Sequence, residues 1–250
     1  FILSDSRAKV LVTNKLTRWK QIKAAGGDLQ DLTAVIITED EVDDETGMVR
    51  GLSEWLAAGT HVVELPEGPK EDDLAGIVYT SGTTGRPKGV MLTHRNVVND
   101  GKCIGDRMDL SSADRMMIQV PMFHCFGMVL SMTSCMTHGA TLCPMPYFSA
   151  KVSLACINQE RITCFNGVPT MFIAMFNHPD YKKTDFSYMR TGIMAGSLCP
   201  VELMKQVEEK MYMKVTSVYG LTETSPGMTA SRIDDPFDVR CNTVGHDFEH

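Results

Sequence analysis

The chain has 250 residues, 43% of them apolar and 22% charged, with a formal charge of −7. This composition excludes a disordered chain and allows one large domain or two lobes with their own cores. The acidic balance argues against nucleic acid as the main partner, because phosphate-backbone binding needs a basic surface; a small polyanion held by local positive charge remains open.

Short β-like runs alternate with helical patterns along the chain. Residues 8–13 read as a strand and residues 15–25 as a helix ended by Gly26-Gly27. Residues 34–38, rich in β-branched side chains, read as the next strand. The acidic stretch 39–45 reads as a solvated loop, and Leu52, Trp55 and Leu56 give one apolar helix face. The apolar run Ala75-Gly76-Ile77-Val78 reads as a buried strand, and Thr93 as the N-cap of a helix reaching about Cys103. Further strands are expected at 116–120, 140–143, 163–166, 191–195 and 215–219. The helices between them are expected at 126–136, from Ser149 to Gln159, from Pro169 to Phe176 and from Pro200 to Met211. In the last, Val201, Met204, Val207 and Met211 form one face.

This alternation predicts an α/β fold of layered, mostly parallel sheets flanked by helices. Ligands in such folds sit at the carboxyl ends of strands. Five polar or glycine-rich segments follow expected strands: the loop after Val78, Pro121–His124, Gly167–Thr170, Ala195–Ser197 and Gly220–Glu223. The eight cysteines include no C-x-x-C pair and read as free thiols in a reducing, cytoplasmic compartment. No apolar stretch reaches the length of a membrane span, and no leader pattern is read. The chain opens on Phe1 rather than Met and is read as an internal piece of a longer protein.

The loop Tyr79-Thr80-Ser81-Gly82-Thr83-Thr84-Gly85-Arg86-Pro87-Lys88-Gly89 carries the chemistry. Glycines let backbone N–H groups approach phosphate oxygens, hydroxyls donate further bonds, and a lysine adds a point charge. The loop is not a Walker loop: counting from Gly82, the second glycine falls on Pro87, and Gly89 stands where a magnesium-binding hydroxyl is needed. A dinucleotide G-x-G-x-x-G is absent too, since Thr84 holds its second glycine position.

At every position the loop resembles the phosphate-loop motif of the adenylate-forming superfamily, which includes acyl-CoA synthetases. Tyr219-Gly220-Leu221-Thr222-Glu223 resembles that family's second motif. Pro121-Met122-Phe123-His124-Cys125-Phe126-Gly127 is similar to the acyl-CoA synthetase version of the segment between them, and Ala195-Gly196-Ser197 to the adenine-contacting segment. The resemblance runs across nearly the whole chain. It implies that residues 1–250 are the central part of the family's large N-terminal AMP-binding domain, without the small C-terminal domain.

The resemblance implies an ATP-dependent acid–CoA ligase that forms an acyl-adenylate and then acyl-CoA, on medium- to long-chain fatty acids. An aryl-acid or other adenylation enzyme without CoA is the near alternative, and a non-catalytic nucleotide-binding module the distant one. ATP, Mg²⁺ and CoA are implied, with a carboxylic acid as substrate; no nucleic acid and no membrane span are expected, and the oligomeric state stays open. Thr80, Ser81, Gly82, Thr83, Thr84, Gly85 and Lys88 would cradle the β- and γ-phosphates. Glu223 would hold Mg²⁺ with Thr80, and Thr222 would bond the α-phosphate. Tyr219 would stack on adenine beside Ala195, Gly196, Ser197 and Gly220. His124 would act near the reacting phosphorus as a charge partner or as a gate, with a satisfied structural histidine as the competing reading. Phe123, Gly127, Val168, Pro169, Thr170 and Met171 would shape the acyl pocket, with plain core packing as the alternative. Cys125 stands where amino-acid-activating relatives place an acidic residue, which favours a plain carboxylic acid. The ribose-binding Asp, the hinge and the C-terminal lysine of the family would lie beyond residue 250, so the fragment alone is expected to turn over negligibly.

Overall fold

A computed structural model of the chain describes residues 1–39, 41, 42, 44, 46–59, 64, 66–81 and 85–249. Its contacts divide it into two compact units, one of Phe1–Pro69 with Ser81–Gly89, the other of Lys70–Thr80 with Val90–His250.

The first unit contains α1 (Ile2–Asp5), β1 (Val10–Thr13), α2 (Leu16–Ala24), β2 (Ala34–Ile37), β3 (Val49–Gly51) and α3 (Leu52–Ala58). Its strands form a parallel sheet in the order β1-β2-β3. Trp19, Leu32, Val35, Ile37 and Val49 make its core. Helix α3 forms where its pattern places it, but its apolar face is not buried: Leu56 is 68% exposed. Asp40, Asp43 and Glu45 of the acidic stretch lie outside the described residues.

The second unit holds β4 (Leu74–Thr80), the Val90–Thr93 part of its two-stranded-sheet partner β5 (Lys88–Thr93), and α4 (His94–Arg107) after it. The expectation of a fully buried strand at Ala75–Val78 is corrected: β4 lies outside the main sheet, exposed at its start and half-buried beyond. Thr93 caps α4 through a reciprocal pair of bonds with Asn96, and the helix runs one turn past Cys103.

The elements that follow are β6 (Arg115–Ile118), α5 (Cys125–Gly127), a π-helical stretch Met128–Thr133, α6 (Ser134–His138), β7 (Thr141–Pro144), α7 (Ala150–Gln159), β8 (Cys164–Phe165), α8 (Pro169–Phe176), β9 (Thr191–Ile193), α9 (Val201–Met211) and β10 (Lys214–Thr216). The main sheet is parallel, in the order β10-β9-β8-β6-β7. The apolar alternation Met116-Met117-Ile118 feeds two cores, one on each face. Met117 and Phe165 pack with α7, α8 and α9, while Met116 and Ile118 pack with α4 and the α5–α6 run. In α9 Met204, Val207 and Met211 are buried as expected, joined by Leu203, while Val201 at the first turn is exposed.

The run at 215–219 is two strands, not one. β10 ends at Thr216, and β11 (Val218–Gly220) belongs to a separate antiparallel sheet with β12 (Gly227–Ala230) and β13 (His246–Asp247). The break falls at Ser217, whose N–H donates to the Ser231 hydroxyl at 2.9 Å instead of continuing the first ladder. A last helix, α10 (Phe237–Asn242), lies between β12 and β13.

The π-helical stretch leaves carbonyls out of the α-helical register, and side chains collect them. Ser131 Oγ donates to the Phe126 carbonyl at 3.0 Å and Thr133 Oγ1 to that of Met128 at 2.9 Å. Asn166, fully buried after β8, donates to the Leu130 carbonyl at 3.1 Å and accepts from Ile193 N–H at 2.9 Å.

An ion pair ties the amino ends of β6, β8 and β9. Arg190 Nε donates to Asp114 Oδ1 at 2.8 Å, and the Thr163 hydroxyl donates to the same oxygen. Burial opposes the charge on Asp114, but Arg190, Thr163 and the Ser111 N–H outweigh it and hold the carboxyl down at about 2. A carboxylate depressed in the folded state stabilises it above the unfolded pKa of about 3.9, and that stabilisation is lost as the pH falls toward 2. Arg190→Ala is therefore expected to cost about 3 kcal/mol at neutral pH, because it leaves Asp114 buried and unpaired. The cost should shrink between pH 4 and pH 2 in urea titrations; a pH-independent cost would show that the pair is not the source.

Candidate functional site

The order β7-β6-β8 places a switch point between β6 and β8, where chain connections leave in opposite directions and a crevice opens at the carboxyl ends. His124 follows β6, Gly167 follows β8 and Gly196 follows β9. A cavity of about 340 Å³ opens in this unit. Its polar wall is Thr80, His124, Thr222 and Glu223, its backbone wall Ala195, Gly196 and Gly220, and its apolar wall includes Phe126 and Leu130.

Each wall is held by local bonding. His124 Nδ1 accepts from Phe126 N–H at 3.1 Å, so the ring proton sits on Nε2. Thr222 and Glu223 lie on a single 3₁₀ turn, Thr222–Thr224, directly after β11. Thr224 Oγ1 accepts from Leu221 N–H at 3.0 Å and lies 2.8 Å from the Pro226 carbonyl oxygen. Gly220 has no room for a side chain: a Cβ there would stand 1.7 Å from that same oxygen. The turn thus closes back tightly on β11, and Glu223 is exposed at its tip.

Cys125, 1% exposed, faces this turn. Burial pushes its thiol up; the nearby Thr222 hydroxyl opposes the shift, and the Asp100 and Glu223 carboxylates add to it. Such a thiol is not a nucleophile. All eight cysteines are free.

The sequence matches the AMP-binding enzyme family over residues 1–248. The chain belongs to this family. Among curated relatives, YngI of Bacillus subtilis, provisionally named an acyl-CoA synthetase, is 50% identical over 181 residues, covering 72% of this chain and 33% of that protein. The mitochondrial medium-chain acyl-CoA ligase of Rattus norvegicus is 39% identical over 234 residues, covering 89% of this chain and 37% of its own. The chain therefore spans about a third of the curated relatives it matches. Among solved structures, the inhibitor-bound N-terminal domain of FACL13 from Mycobacterium tuberculosis superposes with a TM-score of 0.82 at 28% identity, covering 99% of this chain and 59% of that one.

The residues singled out in the sequence are distributed as follows. Thr80, His124, Ala195, Gly196, Gly220, Thr222 and Glu223 line the one cavity. Ser197 and Tyr219 do not line it, and the Tyr219 ring is half-exposed. Ser81, Gly85 and Lys88 belong to the first unit, where Gly85 adopts a φ of +93° that favours glycine. Gly82, Thr83 and Thr84 lie outside the described residues.

None of the six residues expected around an acyl pocket lines the cavity. Phe123 is exposed, Pro169 opens α8 and is buried, Thr170 is exposed, and Val168 and Met171 pack against the core under α4. Gly127 lies against the Pro121 backbone.

Sequence reasoning missed Phe126, Leu130 and Thr224, and set Cys125 aside. The hydroxyl of Thr224 directly after the Thr-Glu pair was a readable turn signal. The other three are apolar or thiol side chains whose place depends on tertiary packing.

No helix among the described residues is long and apolar enough to cross a membrane. They also contain no cluster of three or more His, Cys, Asp or Glu side chains suited to a metal. Two oxygen donors on one cavity, Thr80 and Glu223, fit a Mg²⁺ that takes its remaining ligands from phosphates and water.

Proposed function

We propose that the protein containing this chain is an ATP-dependent acid–CoA ligase, forming an acyl-adenylate and passing the acyl group to CoA, on medium- to long-chain fatty acids. The observation that carries this reading is the single cavity shared by Thr80, His124, Thr222, Glu223 and Gly196, five positions from four separate motifs. The names of the curated relatives, acyl-CoA synthetase and medium-chain acyl-CoA ligase, support it.

On this reading ATP lies with its phosphates on the loop 80–88, gripped by the Thr80, Ser81, Thr83 and Thr84 hydroxyls, by Gly82 and Gly85 backbone and by Lys88. Thr222 donates to the α-phosphate. Tyr219 and the Ala195–Ser197 segment receive the adenine. His124 donates from Nε2 toward the carboxylate–phosphate junction, where two anions must be brought together. Thr80 and Glu223 hold Mg²⁺, which when bound neutralises phosphate charge. Phe123, Gly127, Val168, Pro169, Thr170 and Met171, on the segments that follow β6 and β8, shape the acyl pocket from behind without lining the cavity itself. Residues 1–250 form the central part of a large N-terminal domain. Eight free thiols suit a reducing compartment.

ATP–pyrophosphate exchange by the whole enzyme across a panel of straight-chain, aryl and amino acids tests the reading. Exchange is expected to be highest with C8–C16 acids, and hydroxylamine should trap the acyl group. Preference for aryl acids, or exchange with no CoA-dependent thioester, would replace it with the adenylation alternative.

A further inference from the structure

Helix α4 carries a group that the proposed reaction has not used. Asp100 is 5% exposed and lies on the inward face of α4 with Ile104 and Met108. Its Oδ2 accepts one bond, from the Gly227 N–H at 3.1 Å. Its Oδ1 is buried with no hydrogen-bond partner among the described residues. An acid in this setting is a poor choice for stability alone, since an unpaired buried oxygen costs more than an apolar side chain would. Rules broken in this way cluster at functional positions.

The bond to Gly227 is what gives the residue a role. Gly227 opens β12 and receives the chain as it returns from the Thr222–Thr224 turn. It is flush against α4 and β13: a Cβ there would stand 2.7 Å from Asp100 Oδ1 and 2.4 Å from the Phe248 ring. At the other end of the loop Gly220 abuts the Pro226 carbonyl, and Thr224 bonds within it. The segment 220–227 is thus a closed loop, and Asp100 fastens its returning end to a fourteen-residue helix.

The charged groups around Asp100 do not neutralise it. Along α4 a polar cleft next to it is edged by Arg95, Lys102 and Asp106, but Arg95 leans on Glu71 at 3.8 Å and Lys102 bonds Asp106 at 2.6 Å. Cys103 lies one turn on; its thiol is pushed up by burial and by the Asp100 charge. Thr224 and Ser225 face the cleft from the loop, and Glu249 from beyond β13. From α5 comes Cys125, with Glu223 beyond it, so nearby charge from that side is acidic as well. Burial accordingly raises the Asp100 carboxyl to about 7, against a small opposing effect of the Gly227 N–H.

We propose that Asp100 is a positioning residue for acid activation: through the Gly227 amide its carboxyl holds the loop that presents Thr222 and Glu223. This rests on the reading of the cavity given above. The essential property is an acceptor oxygen at that point, not a negative charge.

Two readouts on the whole enzyme test it. Asp100→Ala, which removes the acceptor, should lower kcat for acid-dependent pyrophosphate release about tenfold or more while leaving KM for the acid within about twofold. Asp100→Asn, which keeps an acceptor oxygen and loses the charge, should retain kcat within about twofold. If the alanine variant fails to fold, Asp100→Ser, too short to reach the amide, takes its place with the same expected loss. In thermal melts a carboxyl raised in the folded state makes that state lose stability as the pH climbs from about 4 to 7. The Asp100→Asn midpoint should therefore exceed the wild-type midpoint by a margin that grows across that range. Wild-type kcat in the alanine or serine variant, equal damage by asparagine, or a midpoint difference independent of pH overturns the proposal. A wild-type enzyme that activates no acid overturns the functional reading itself, and is recognised without any variant.

Discussion

Glu223→Gln should lower ATP–pyrophosphate exchange by the whole enzyme about 10²–10³-fold, with the thermal midpoint unchanged to within about 2 °C. The asymmetry follows from where the side chain sits. Glu223 is exposed at the tip of the Thr222–Thr224 turn and hydrogen-bonds to nothing among the described residues, so the fold does not depend on its charge. The proposed chemistry does. A carboxylic acid and a triphosphate repel each other until a cation offsets their charge, and glutamine is a far weaker ligand for a hard divalent ion. Glu209→Gln on the exposed face of α9 is the matched control and should exchange normally. If Glu223→Gln keeps more than about a tenth of wild-type exchange, the metal-holding role is wrong even if the rest of the cavity functions as proposed.

The largest loss of stability is expected from Phe165→Ala, about 4 kcal/mol in urea titrations. Phe165 is fully buried at the end of β8, in the core formed with α7, α8 and α9. Its ring meets that of Phe172 edge-on, with centroids 4.9 Å apart. Truncation removes the transfer energy of the ring and leaves a cavity between a strand and three helices that cannot all close on it. Domain stabilities are commonly 5–15 kcal/mol, so the variant should be marginal at 37 °C. A loss under about 2 kcal/mol would mean that the helices collapse into the space and that this core is more compliant than its packing indicates.

The two cores and the main sheet were legible because their residues carry strong local signals. Met116-Met117-Ile118 and the Thr191-Gly192-Ile193 run can only be buried strands, and Thr93 with Asn96 announces α4. What was not legible depends on long-range partners. The run Val215–Tyr219 has uninterrupted β character, and only the hydroxyl of Ser231 reveals why it breaks at Ser217. β5 and β12 pass unnoticed because Lys-Gly-Val and Gly-Met-Thr look like loop until a partner strand is beside them. Leu52, Trp55 and Leu56 show the reverse case, in which periodicity defines a helix face without saying what covers it. At the candidate site the motif residues were readable one by one, since glycine, hydroxyl and acid each have a chemical reason to be there. Asp100 was not, because an acid gains its significance from the depth at which it is held and from the neighbour it meets.

The widened turn at Met128–Thr133 has a consequence for the cavity wall beside it. Leu130, which lines the cavity, lies where one more residue is wound into the helix than an α-turn accommodates, and Asn166 bonds its carbonyl. Deleting one residue from that stretch would restore ordinary α-winding with the flanking turns still in register, so that only the side chains within the bulge, Leu130 among them, would be displaced. A change of length there would leave every recognisable motif intact yet alter the apolar wall that Leu130 contributes, so on the proposed reading acid preference is adjustable by length as readily as by substitution.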